Sequence, residues 1–179
     1  MKHESKQAFI SAVAGFRLPR YHEIPNVGLY LEQASKYISE YLTPLGVFTL
    51  TPSMISNYVK KGLIESPVKK QYSRDQVAYL FFIAVAKSVL SLDALTGFLQ
   101  LQKRTYPLYK AYDYFCDEFE NVLCFTFEVK DLLESRGEDS KAEKRLLYTC
   151  IVSAVQKVFL EKHLEWLAEE ITDTEEAGS

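Results

Sequence analysis

Thr51-Pro52-Ser53-Met54-Ile55-Ser56-Asn57-Tyr58-Val59-Lys60-Lys61-Gly62-Leu63-Ile64, followed by Ser66-Pro67-Val68-Lys69-Lys70-Gln71-Tyr72-Ser73-Arg74-Asp75-Gln76, is the stretch that decides the fold. It reads as a short capped helix, a stop, a basic turn and the capped start of a second helix. Thr51 can accept a bond from the first free N–H groups of a helix, and Pro52 suits the position just inside that start. Gly62 can take the left-handed backbone that ends it. The helix is therefore about ten residues long, short enough to lie in a groove. Ile55, Val59 and, just past the end, Leu63 fall on one side, while Ser53, Ser56, Asn57, Lys60 and Lys61 face away. Such an exposed side, rich in donors and positive charge, matches the chemistry of a DNA duplex.

Charge sharpens the reading. Between Thr51 and Arg74 stand five basic residues (Lys60, Lys61, Lys69, Lys70, Arg74) and one acid, Glu65, in a chain of formal net charge -3. Duplex phosphates lie about 1.7 Å apart along the axis, and each cation that neutralises one releases condensed counterions, so a compact cluster supplies non-specific affinity. Runs of lysine are commonly just a solvated surface. Two lysine pairs flanking a short polar helix, with a turn between them, favour a nucleic-acid footprint. From Asp131 onward the chain holds twelve acids against six bases, a balance of minus six. That part repels a duplex and leaves the N-terminal half as the DNA face.

At these residues the chain resembles the MerR family of winged helix-turn-helix regulators, in which the second helix runs into a Gly-Leu pair, then a Pro and a basic wing, then an aromatic-Ser pair opening the next helix. The matching positions are Ile55-Ser56-Asn57-Tyr58, Gly62-Leu63, Pro67, Lys69-Lys70 and Tyr72-Ser73-Arg74-Asp75. The likeness covers residues 29 to 100. It implies a recognition helix at 52–61 in the major groove, Tyr58 near a phosphate, and a wing around Val68 to Gln71 on the backbone. The family usually places an Arg before an aromatic pair in this helix; here Ser56 and Asn57 precede a single aromatic, which removes the best bidentate reader of guanine. The layout is also similar to that of a family of small bacterial proteins with this domain near the N-terminus and a helical C-terminal part.

Composition bounds the remainder. With 179 residues, 47% hydrophobic and 25% charged, the chain can bury a core without staples. Three cysteines, Cys116, Cys124 and Cys150, and no secretory signal point to a reducing, cytoplasmic setting. The longest apolar run, Val77 to Leu90, is too short for a bilayer, so no membrane role is expected. Residues 4 to 14 read as a short helix with Phe9, Ile10 and Val13 inward, and Arg17 to Asn26 as an extended connector holding Pro19 and Pro25. A helix is expected from Leu29 to Leu42, broken by Thr43-Pro44-Leu45-Gly46, with Val47 to Leu50 leading on to the recognition helix. Ser73 with Gln76 is a capping box for a helix ending near Val89, and Ser91 begins another. Leu108, Tyr112, Phe115, Phe119 and Val122 share one helix face. Ser135 to Ser140 form a polar break. A final helix runs from about Lys141 to Ile171 with Leu147, Cys150, Ile151, Ala154 and Val158 on one face, before an acidic tail, 172–179, expected to be disordered.

The expected architecture is thus all-α: an N-terminal helix and connector (1–28), a MerR-like winged helix-turn-helix DNA-binding domain (29–104), and a helical C-terminal bundle (105–171). The bundle is expected to join two subunits as a homodimer and to offer a small-molecule effector site, with Tyr106, Tyr109 and Tyr112 as candidate lining residues whose other role is core packing. The histidines His3, His22 and His163 are scattered, and no phosphate loop or nucleophile motif occurs, so no enzyme, metal or cofactor is expected. The cysteines can be core filling or a thiolate site. Ser53, Ser56 and Asn57 are expected at base edges of double-stranded DNA, Tyr58, Lys60, Lys61, Lys69, Lys70 and Arg74 at phosphates. The rival reading is a protein-interaction adaptor that keeps the winged shape and binds no DNA.

Overall fold

The computed structural model describes residues 2–131 and 141–177. Helices form where apolar residues recur at three- and four-residue spacing: α1 (Lys2–Ala14), α2 (Leu31–Leu42), α3 (Pro52–Lys60), α4 (Arg74–Ala86), α5 (Leu92–Thr105), α6 (Leu108–Thr126) and α7 (Ala142–Ala177). Among the described residues the fold is all-α apart from one small antiparallel pair, β1 (Leu29–Tyr30) with β2 (Gln71–Tyr72), in which Leu29 faces Tyr72 and Tyr30 faces Gln71. Among the described residues no helix is long and apolar enough to cross a membrane.

Local chemistry explains the ends of these elements. The Ser73 hydroxyl accepts from the Gln76 N–H at 3.3 Å while the Gln76 side chain accepts from the Ser73 N–H at 2.9 Å, so the expected capping box starts α4. The Ser91 hydroxyl accepts from the Ala94 N–H at 3.2 Å and starts α5.

α4 is the centre of the packing. Every residue from Leu80 to Ala86 is buried, as are Val77 and Ala78, so this helix is apolar all round and must be covered on every side. Phe81 meets Tyr37 and Tyr41 of α2 and Tyr112 of α6. Phe119 of α6 meets Phe16, Phe48 and Phe115. A single cluster of buried side chains runs from Phe9 to Val158, so the boundary expected between 104 and 105 does not divide the core. The connector after α1 is strapped to α6: the Arg20 guanidinium reaches Glu120 at 2.7 Å and Asp117 at 2.8 Å, the Leu18 N–H donates to Glu120, and the Tyr21 N–H donates to Asp113. Carboxylates of α6 thereby satisfy backbone donors that an extended buried segment would otherwise leave open.

Two expectations are corrected here. Leu29 and Tyr30 do not open the helix; they pair with β2, and α2 begins at Leu31, where the Gln33 side chain accepts from the Tyr30 N–H at 2.9 Å. Gly28 permits that pairing, since a Cβ there would sit 2.6 Å from the Gln71 Cβ. The acidic tail is not disordered throughout: α7 continues to Ala177, because no Pro or Gly interrupts it before Gly178 and Glu and Ala favour helix. α4 packs against α2, α6 and α7, so one buried cluster joins the N-terminal and C-terminal helices. The polar break at Ser135–Ser140 lies outside the described residues.

Candidate nucleic-acid interface

α3 is capped as its sequence dictates. The Met54 N–H donates to the Thr51 hydroxyl at 3.2 Å, and Pro52 occupies the first turn. At the other end Gly62 has φ of 72°, the Gly62 N–H donates to the Val59 carbonyl at 3.0 Å, and the Leu63 N–H to the Tyr58 carbonyl at 2.9 Å. These two bonds are a Schellman stop, which needs a residue without a Cβ penalty. Ile55 and Leu63 are buried and Val59 half-buried, while Ser53, Ser56, Asn57, Lys60 and Lys61 are exposed, so the polar side of α3 does face water.

Tyr58 lies inward. It is 4% exposed and its ring belongs to the core, with its phenol pKa raised by burial. Three residues after Ile55, its ring shares the inward face of the helix. Arg74 is held by the connector. Its Nε donates to the Ile24 carbonyl at 2.9 Å and its guanidinium lies 5.5 Å from the centre of the Tyr21 ring, whose hydroxyl in turn meets Asp75. Arg74 fastens the connector to the start of α4, and its planar fork suits that stacked, hydrogen-bonded place.

The basic turn is a hairpin. The Gln71 N–H donates to the Val68 carbonyl at 2.9 Å, and Lys69 and Lys70 between them have φ of 50° and 64°. Two central residues with positive φ match the twist of a two-residue hairpin, a place that favours Asn-Gly because a Cβ is strained there. Lysine at both positions is therefore held against its local preference. Replacing Lys69-Lys70 with Asn-Gly is expected to stabilise the chain by about 1 kcal/mol and raise Tm by roughly 2–4 °C. Thermal unfolding checks this, and an unchanged or lower Tm contradicts the strained geometry.

The electrostatics separate these lysines from the ion-paired bases. Arg17, Arg20, Lys36, Lys103, Lys157 and Lys162 each lie within 4.0 Å of a carboxylate, Lys103 holding the one local acid, Glu65, at 3.7 Å. Lys60, Lys61, Lys69 and Lys70 are exposed and have no carboxylate partner among the described residues. Lys87, which sequence reading left inside an apolar run, is half-buried under α3; its ammonium meets the Met54 sulfur at 3.6 Å and desolvation lowers its pKa. Its signal was the lone charge in that run. The Gln76 side-chain amide donates to the Glu65 carbonyl at 2.8 Å, so the residue that caps α4 also pins the loop leading to the hairpin.

Elsewhere the candidates scatter. Tyr106 lines a cleft beside α5, Tyr112 is buried with its hydroxyl beside the Cys116 sulfur, and Tyr109 is exposed near Tyr21 and His22. The cysteines do not converge on one site. Cys116 donates weakly to the Pro19 carbonyl and Cys124 to the Val13 carbonyl, both at 3.7 Å. Burial pushes the Cys116 thiol up and the Cys150 thiol up to about 11, which disfavours the reactive thiolate. Among the described residues no group of three or more His, Cys, Asp or Glu gathers to hold a metal.

Residues 19–115 match a family described as "Domain of unknown function (DUF1836)". The match takes in the connector, the helices and hairpin from α2 to α5, and the first part of α6. No curated protein and no solved structure matches the chain.

Proposed function

The chain belongs to the DUF1836 family, and from its exposed basic surface we propose that it is a sequence-specific DNA-binding transcriptional regulator acting as a homodimer. In this reading α2, the turn after it and α3 form a helix-turn-helix, and the Val68–Gln71 hairpin with the β1–β2 pair is the wing. α3 enters the major groove, with Ser53, Ser56 and Asn57 at base edges; Asn57 is suited to adenine, whose N6 and N7 it can bond together. Lys60, Lys61, Lys69 and Lys70 hold phosphates and set the register. The observation that carries this reading is that these four lysines stand in water without an acidic partner among the described residues, two of them on a turn whose geometry disfavours lysine.

The second subunit has a natural seat on α7. Leu160, Leu164, Leu167 and Ile171 are all exposed and follow a four-three-four spacing, the pattern of a coiled-coil seam. Two copies joined there give a two-fold reader, and a two-fold reader calls for half-sites related by inversion. Selecting fragments of genomic DNA on the full chain is expected to enrich one short inverted repeat; a bound pool with no shared sequence contradicts sequence-specific reading.

An adaptor is the second reading, favoured by exposed apolar side chains on the hairpin and on the segment through β1. Val27 and Val68 are 74% and 75% exposed, and Tyr30 is exposed across the strand pair from Gln71. Exposed apolar groups ringed by charge suit a protein partner. An adaptor purifies free of nucleic acid at low salt, whereas the regulator carries it through.

A further inference from the structure

An apolar cleft of about 190 Å³ lies between α5, α6 and the start of α7, walled by Phe98, Leu101, Tyr106, Ala111, Tyr114 and Leu147. A narrower space of about 40 Å³ adjoins it, sharing Phe98, Gln102, Ala111 and Leu147. Engineered apolar cavities of roughly 150 Å³ take benzene, while pockets for drug-sized ligands begin at about 300 Å³, so this cleft suits one aromatic ring with a small substituent.

The polar groups around it narrow the substituent. Gln102 is fixed at both ends: its amide nitrogen donates to the Tyr106 carbonyl and its oxygen accepts from the Tyr79 hydroxyl, each at 2.8 Å. An amide has two N–H groups, so one remains for a ligand. Lys110 and Lys144 line the cleft against one acid, Glu143. The Lys144 ammonium stands 5.5 Å from the centre of the Tyr114 ring, and that of Lys141 stands 5.6 Å from the Tyr106 ring, so two of the aromatic walls each carry a cation. The Lys141 and Lys144 ammonium groups over two of its walls, with Lys110 on the lining and its ammonium 5.9 Å from the neighbouring Tyr109 ring, favour an anion over an organic cation in this apolar slot.

We propose that this cleft is a binding site for a small aromatic carboxylate. Its ring lies among Phe98, Tyr106 and Tyr114, and its carboxylate meets Lys110 and Lys144. The site is separate from α3 and its occupancy does not depend on DNA binding.

Calorimetric titration of the full chain with benzoate, phenylacetate and cinnamate, and with benzylamine and benzyl alcohol for comparison, tests this directly. At least one carboxylate is expected to bind about tenfold or more tighter than benzylamine. Ala111→Phe, which fills the cleft, is expected to weaken that carboxylate by about tenfold or more, and Lys110→Gln with Lys144→Gln to reduce it to the level of benzyl alcohol. Should Ala111→Phe fail to fold, the double lysine variant, altered only at the rim, decides. No binding of any of the three carboxylates at millimolar concentration, benzylamine binding equally well, or a double lysine variant of unchanged affinity overturns the assignment.

Discussion

Replacing Phe81 with alanine is expected to remove about 3–5 kcal/mol of stability, a large share of the roughly 5–15 kcal/mol that holds a domain together. Phe81 is 0% exposed, and its ring lies 6.0 Å from Tyr37, 5.8 Å from Tyr41 and 6.1 Å from Tyr112. Alanine leaves a cavity between α2, α4 and α6 and strips three aromatic rings of a partner, beyond the lost burial itself. Because α4 also packs on α7, the damage is expected to reach both ends of the chain together. Trp166 of α7, packed edge-on against Phe9 of α1, reports the far end by fluorescence, while circular dichroism reports the helices as a whole. In urea the two signals are expected to fall together, with the midpoint of Phe81→Ala far below that of the parent chain. A loss under about 1 kcal/mol, or a Trp166 transition separated from the rest, contradicts a shared core.

What was legible in the sequence is what local chemistry fixes. Thr51, Pro52 and Gly62 delimit α3 because a cap is made within four residues of itself, and Ser73 with Gln76 starts α4 for the same reason. The polar side of α3 was legible from helical spacing, and its lysines stay exposed. Tyr58 was not, since a tyrosine has an apolar ring and a polar tip and spacing alone does not say which end decides. Arg74 looked like one more cation of the cluster, yet its partners, Ile24 and Tyr21, lie some fifty residues earlier in the chain. β1 was hidden for a similar reason: Leu29 and Tyr30 suit a helix start equally well, and their pairing with Gln71 and Tyr72 is a long-range contact that no local pattern signals. Lys69 and Lys70 were legible as charge but not as strain, because nothing in a Lys-Lys pair announces a left-handed backbone.

Changing Lys60, Lys61, Lys69 and Lys70 together to glutamine is expected to cost the chain most of its affinity for DNA while leaving its fold intact. All four side chains stand in water, and such surface changes usually shift stability by about 0.5 kcal/mol or less each. Each lysine seated on a phosphate contributes about 0.9 to the slope of log affinity against log salt, so the set accounts for about 3.6 of it. Lys36 and Lys157, which lie against Glu40 and Glu161, serve as controls whose replacement is expected to leave the slope alone. Mobility-shift titration of the parent chain and the four-lysine variant on a selected genomic fragment, repeated across salt concentrations, is the most direct measurement. The parent is expected to form a retarded complex at low salt that weakens steeply as salt rises, and the variant a weaker complex with a slope shallower by about 3–4. A parent chain that retards no genomic fragment at low salt, or two proteins with the same slope, contradicts the regulator reading.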